Sequence, residues 1–177
     1  LPVIEPYIAL PGQDVGFNID IKNLGTEAIN NYKLVVPIPY NASYVPGSAQ
    51  GIVLFTTLLA PLPIPNNVYF DSTLGATGSI VWDFGKLPLA ASASTVLARL
   101  TFRLTATRDC AILLNQTCGS PIYVSGGASG TGSITGINFT GTRLIKGYAL
   151  NGTCIGLPIP ETLAININGL SFVGANC

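Results

Sequence analysis

The chain has 177 residues, 48% of them apolar and only 9% charged, with eight basic side chains against eight acidic ones and no histidine. This length fits one domain with a core of its own, and the balanced, sparse charge excludes the electrostatic footprint of a nucleic-acid or anionic-membrane binder. Twenty Gly and 13 Pro with no Met point away from helices and toward short strands joined by turns.

Residues 14–23 alternate, with Val15, Phe17, Ile19 and Ile21 on one face and Gly16, Asn18, Asp20 and Lys22 on the other, the period-two pattern of a half-buried strand. Turn residues Asn23-Leu24-Gly25-Thr26 follow, and residues 32–39 resume the alternation with Leu34, Val36 and Ile38, so the two runs are expected to form an antiparallel pair. Residues 40–67 carry Pro46-Gly47 and then further prolines, which allows only short edge strands such as 52–56. The longest apolar run, 52–60, contains two Thr and stops at Pro61, well short of the roughly 20 residues a membrane helix needs. No direct membrane insertion is expected. With Leu1 in place of Met and no leader pattern after it, the start reads as a processed terminus or the edge of a longer chain.

Ile80, Trp82 and Phe84 alternate with Val81 and Asp83 before Gly85, a strand that buries the single Trp. Over residues 94–107, Val96, Ala98, Leu100, Phe102, Leu104 and Ala106 face one way and Arg99, Thr101, Arg103 and Thr105 the other, giving a long strand with one solvated face. The remainder reads as shorter strands at 121–124, 134–140, 143–146, 163–167 and 170–173. Asn168-Gly169 supplies a hairpin turn between the last two. Gly126 to Gly132 reads as a flexible loop, because no Lys-Ser/Thr and no helix follow it as a phosphate-binding loop requires. The expected fold is all-β: an Ig-like antiparallel β-sandwich of about eight to ten strands. Residues 1–177 form one unit, with a core over 1–107 and C-terminal strands over 108–177.

Cys110, Cys118, Cys154 and Cys177 contain no Cys-x-x-Cys pair, so two disulfides and an oxidising compartment are expected rather than a zinc site. Three pairings are possible. Cys110–Cys118 with Cys154–Cys177 is favoured, since the first brackets one short loop and the second ties the chain back across the Asn168-Gly169 hairpin. Without histidine there is no Ser-His or Cys-His nucleophile. Asp71, Asp83, Asp109 and Glu161 are the carboxylates open to a glycoside-cleaving pair, but each falls at a strand end or turn where a solvated acid is expected. No catalytic residue, cofactor-binding residue or metal ligand is therefore assigned, and the chain is expected not to be an enzyme. A structural calcium held by Asp14, Asp71 or Asp109 with backbone carbonyls stays open. Tyr7, Tyr40, Tyr44, Tyr69 and Trp82 are the candidates for a sugar-stacking platform, against the simpler reading of a core Trp and edge tyrosines. The sequons at Asn41, Asn115, Asn138 and Asn151 are candidate N-glycosylation sites.

The string Leu10-Pro11-Gly12-Gln13-Asp14 through Asn23-Leu24-Gly25-Thr26 resembles the opening of the conserved Ig-like repeats of bacterial surface proteins: Pro-Gly, an alternating strand, then Asn-x-Gly-Thr. Val36-Pro37-Ile38-Pro39 with Tyr44-Val45, and Trp82 with Gly85-Lys86-Leu87 before the long Thr-rich strand, are similar to later features of the same repeats. The likeness spans roughly residues 1–107, and the segment 61–67 departs from it. Ser133-Ile134-Thr135-Gly136 to Gly147-Tyr148, with Asn151-Gly152-Thr153-Cys154 and Pro158-Ile159-Pro160, is similar to extensions of very large flavobacterial surface proteins exported by the type IX route, gliding adhesins among them. Asp71-Ser72-Thr73 resembles the O-glycosylation signal of that bacterial group, which would place a sugar on Ser72. The resemblance implies a structural or adhesive module at the bacterial cell surface, associated with gliding motility. Its expected partners are neighbouring domains of a long chain and a surface polysaccharide or other cell-surface ligand. Lectin-like carbohydrate binding is the alternative.

Overall fold

The computed structural model describes residues 8–54, 62–63, 67–92, 95–109, 111–112 and 121–150. Cys110, Cys118, Cys154, Cys177, Asn115, Asn151, Tyr7, Glu161 and the hairpin expected at 163–173 lie outside the described residues. Eleven strands follow one another among the described residues: β1 (Ile8–Ala9), β2 (Asp14–Ile21), β3 (Ile29–Pro37), β4 (Ala42–Tyr44), β5 (Gln50–Val53), β6 (Leu62–Pro63), β7 (Val68–Asp71), β8 (Ser79–Asp83), β9 (Ala98–Ala106), β10 (Pro121–Gly132) and β11 (Asn138–Leu150). They form two sheets. One has the order β1-β11-β10-β3-β8-β7, and the other the order β2-β9-β5-β6 with β4 also on β9. All pairings are antiparallel except β1 on β11.

This is an Ig-like β-sandwich. β2, β9 and β5 occupy the B, E and D positions of that plan, β3, β10 and β11 the C, F and G positions, and β8 and β7 extend the second sheet beyond C. In sequence, however, the β7–β8 pair comes after β5 rather than directly after β3.

The alternation at β9 sets the core. Ala98, Leu100, Phe102, Leu104 and Ala106 are buried, while Arg99 is exposed and Thr101, Arg103 and Thr105 are half-buried. The strand starts at Ala98 rather than Ser94, because Leu97 is buried as well and breaks the period. Phe17 stacks on Phe102 at 4.8 Å between ring centroids, and Trp82 leans on Phe102 from the other sheet at 5.6 Å. Trp82 is fully buried. Its indole Nε1–H donates to the Gln50 carbonyl at 3.0 Å, so the ring's polar end has a partner and joins the two sheets.

Several expectations are corrected. β2 and β3 do not pair with each other. β2 bonds β9 and β3 bonds β8 and β10, since two strands whose apolar faces both point inward can cover one another from opposite layers as readily as side by side. The Gly126 to Gly132 tract is no loop but the second half of β10, bonded to both β11 and β3. In the middle of a sheet its missing side chains are a packing feature: a Cβ on Gly130 would lie 2.6 Å from Ile29 and 2.7 Å from Phe139. Residues 133–137 form the turn, so the strand expected from 134 begins at Asn138 and runs unbroken through 143–146 to Leu150. Likewise the short strand expected at 121–124 continues to Gly132. In the proline-rich middle, of the edge strand expected at 52–56, residues 52 and 53 fall in β5 (Gln50–Val53), which is not at the edge but lies between β9 and β6, and residues 55 and 56 lie outside the described residues.

Candidate functional site

The outer face of the β2–β9–β5 sheet carries four rungs read directly from the register: Asp14 beside Thr105 and Ser43, Gly16 beside Arg103, Asn18 beside Thr101 and Gln50, and Asp20 beside Arg99 and Ile52. Because Val15, Phe17, Leu100, Phe102 and Leu104 point into the core, the residues between them must point outward. Gly16 has no side chain, so the second rung is low. The β4–β5 connection, Val45 to Ser48, rises beside it. The result is an open trench of about 630 Å³ along β9.

Its central rung is neutral: one amide, one hydroxyl and a second amide in a row. Ion pairs bracket it, with Arg99 Nε 2.7 Å from Asp20 Oδ1 and Arg103 Nη2 3.4 Å from Asp14 Oδ2. Asp14 also accepts from the Thr105 hydroxyl at 2.5 Å. Ser48 is fixed on the Arg103 backbone, its hydroxyl accepting from the amide at 3.0 Å and donating to the carbonyl at 3.3 Å. The Nε–H of Arg103 is buried and has no hydrogen-bond partner, which leaves an oriented donor beside the trench. The chemistry this lining offers is hydrogen bonding through amide, hydroxyl and guanidinium groups.

A second concavity of about 680 Å³ lies where β4 and β7, on opposite sheets, diverge. Tyr44 and Phe70 stack across it at 5.0 Å and 17°, and the Tyr44 hydroxyl accepts from the Ala49 amide at 3.1 Å. Tyr69 and Phe70 are both partly open to solvent. Of the candidate platform residues, Tyr44 and Tyr69 line this cleft, Tyr40 is exposed in a loop outside it, and Trp82 is in the core. Phe70 was missed. Its sign in the sequence was a large aromatic at the end of a short, Pro-flanked strand.

Among the described residues, the candidate acids Asp71, Asp83 and Asp109 each bond to neighbours of their own. Asp71 accepts from the amide and hydroxyl of Thr73 at 2.9 and 2.7 Å, and these bonds hold its carboxyl below the usual range. Asp83 is lowered by the Gly85 amide at 2.9 Å and by Lys33 at 3.1 Å. Asp109 accepts from the Ala111 amide at 2.8 Å. No group of three acids or thiols able to hold a metal ion gathers among the described residues, and Asp14, Asp71 and Asp109 sit on separate elements, each engaged locally. Ser72 is exposed at the β7–β8 turn and Asn138 is exposed at the start of β11, whereas Asn41 is buried. No helix among the described residues is long and apolar enough to cross a membrane.

No family model matches the chain, and no curated protein matches it. Among solved structures, the chain is similar to the collagen-binding subdomain of the Enterococcus faecalis surface protein ACE, at 10% identity and a TM-score of 0.40, over 75% of this chain and 94% of that one.

Proposed function

We propose that this chain is a non-catalytic adhesive module of a bacterial cell-surface protein, acting outside the cell, with the trench over β9 as its docking surface. The observation that carries this reading is the neutral Asn18–Thr101–Gln50 rung, set low beside Gly16 and fenced by two ion pairs. Within this row Thr101 and Gln50 offer a hydroxyl and an amide side by side, without the aromatic plane a sugar ring stacks on. The ligand class it fits is an extended polypeptide lying along the sheet, whose backbone amides and carbonyls pair with the rung. Two disulfides among Cys110, Cys118, Cys154 and Cys177, glycans at exposed Ser72 or Asn138, neighbouring domains as partners, and a place in a gliding adhesin exported by the type IX route belong to the same reading. The disulfides are supported by the even cysteine count and spacing and the Asn138 glycan by its sequon, and the rest by the sequence likeness described above.

Thr101→Trp is the test. It fills the trench from an outward position and should weaken binding to an extracellular polypeptide found in a binding panel by about tenfold or more, equivalent to about 1.4 kcal/mol, with thermal unfolding unchanged. Wild-type binding that Thr101→Trp leaves intact would reject the trench. A second reading, carbohydrate binding, is favoured by the Tyr44–Phe70 stack in the other cleft. In that case a glycan array would give the hit, Phe70→Ala would lose it, and Thr101→Trp would keep it.

A further inference from the structure

β9 carries two arginines on its outer face, Arg99 and Arg103, and the facing strand serves them differently. Arg99 stands directly opposite Asp20 of β2. Its Nε and Nη2 donate to the two carboxylate oxygens at 2.7 and 3.1 Å, the side-on fork that a guanidinium and a carboxylate form when they meet edge to edge. Arg103 stands opposite Gly16, which has no side chain to answer it. The acid it does reach, Asp14, lies two residues along β2, and Nη2 comes only to 3.4 Å from Asp14 Oδ2, longer than an ordinary N–H···O bond. Asp14 is also engaged by the Thr105 hydroxyl at 2.5 Å. The Nε–H of Arg103 is buried without a partner. The edge of the guanidinium that is filled at Arg99 is thus left with one long contact at Arg103.

We infer that Arg103 selects acidic ligands for the trench: its Nε and Nη2 together take the carboxylate of an Asp or Glu side chain on the docked polypeptide. The assignment rests on the trench being a docking surface, and adds to it the chemistry of what docks. Of the residues that line the trench, Arg103 alone is charged, so the electrostatic complement of the site is an anion. Its backbone is held in place. The Arg103 amide donates to the Ser48 hydroxyl at 3.0 Å, and its carbonyl accepts from the Val45 amide at 3.1 Å and the Ser48 hydroxyl at 3.3 Å, which confines any reorientation to the side chain. Turning the guanidinium toward the trench gives up one long contact and a donor that has no partner, and gains two charge-assisted bonds. A planar, two-oxygen carboxylate fills both donors of the fork, whereas a lone carbonyl fills one.

The experiment is selection of a random peptide display library on the full chain, wild type against Thr101→Trp, Arg103→Gln, Arg103→Lys and Arg99→Lys, with thermal unfolding to confirm that each variant is folded. Peptides retained by wild type and lost on Thr101→Trp define the trench binders. They should be enriched in Asp or Glu, and replacing that acid by its amide should weaken binding by about tenfold or more. Arg103→Gln should remove the preference for acid over amide. Arg103→Lys, which keeps the charge without the fork, should lose most of it, while Arg99→Lys should leave it unchanged. On wild type, adding such a peptide should shift the Arg103 Nε–H resonance, and this readout with the acid-to-amide comparison decides the matter even if an Arg103 variant fails to fold. Trench binders with no acidic preference, an unmoved Nε–H resonance, or a preference that survives Arg103→Gln would overturn the inference and leave the docking surface standing. Recovery of no peptide that depends on Thr101 would remove both.

Discussion

Phe102 sits where both layers meet, stacked on Phe17 within its own sheet and touched by Trp82 from the other. Removing its ring leaves a void that neither neighbour can close, because Trp82 is held by its bond to Gln50 and Phe17 by its own strand. Phe102→Ala should therefore cost about 3 to 5 kcal/mol in denaturant unfolding. One residue earlier, Thr101 is half-buried on the outer face, and Thr101→Ala should cost less than about 1 kcal/mol. Equal losses at the two positions would refute the inward and outward assignment of β9, and with it the trench. A further residue-scale feature is Asn31, whose φ of 51° is left-handed. It lies where β3 has one residue more than β10, between the Lys33–Ser129 and Asn30–Thr131 pairs. Asn tolerates that conformation better than a branched residue does.

At the scale of elements, Glu27 in the β2–β3 connection reaches the β10–β11 turn. Its carboxylate accepts from the Ile134 and Thr135 amides at 2.6 and 3.0 Å and from the Thr135 hydroxyl at 2.7 Å. Gly132 leaves room for it, since a Cβ there would lie 2.5 Å from a Glu27 oxygen. These bonds, the Thr135 hydroxyl first, lower the Glu27 pKa from 4.5. A lowered carboxylate keeps its tether above the ordinary range and loses it as pH falls through the lowered value. The amide resonances of Ile134 and Thr135 should shift together on acidification with a midpoint below 4.5, and Glu27→Gln should abolish the transition; a midpoint at or above 4.5 would mean the tether is absent in solution. Elements of this kind also show how far sequence reading reaches. β9 is legible because its alternation is uninterrupted over nine residues, and β8 because Ile80 and Trp82 are large and apolar even though Val81 between them is buried too. β10 was misread because glycine carries no alternation signal, even where the surrounding strands require its absence of a side chain. The layer change between β2 and β3 was hidden for another reason: alternation says which residues face inward and nothing about which sheet they face inward from. The trench was half-visible, as Gly16 inside an alternating strand marks a place where a neighbour can approach. The rung itself depends on β5 pairing with β9, which no local pattern encodes.

Across the described residues, the ion pairs Lys33–Asp83, Arg99–Asp20 and Arg103–Asp14 are partly exposed and contribute little each. With no histidine in the chain, no imidazole makes stability change near neutrality. The alkaline side is different. Tyr32 is buried in the core edge-on to Phe84 at 5.2 Å, and burial raises its phenol from 10.0 to about 12. In the unfolded chain the same group ionises near 10, so between about 10 and 12 the unfolded state has lost a proton that the folded state keeps. Stability contributed by the neutral phenol is thus complete below about pH 10 and is lost as pH rises through about 12, a change of about 2 to 3 kcal/mol. All other groups are common to wild type and Tyr32→Phe and cancel in the difference. Urea unfolding of the two proteins from pH 8 to 12 should give a constant stability difference up to about pH 10, then a steady fall in wild type relative to Tyr32→Phe. Parallel curves over the whole range would show that Tyr32 is as solvated in solution as in the unfolded chain, and would remove it from the core that holds β3 against β9.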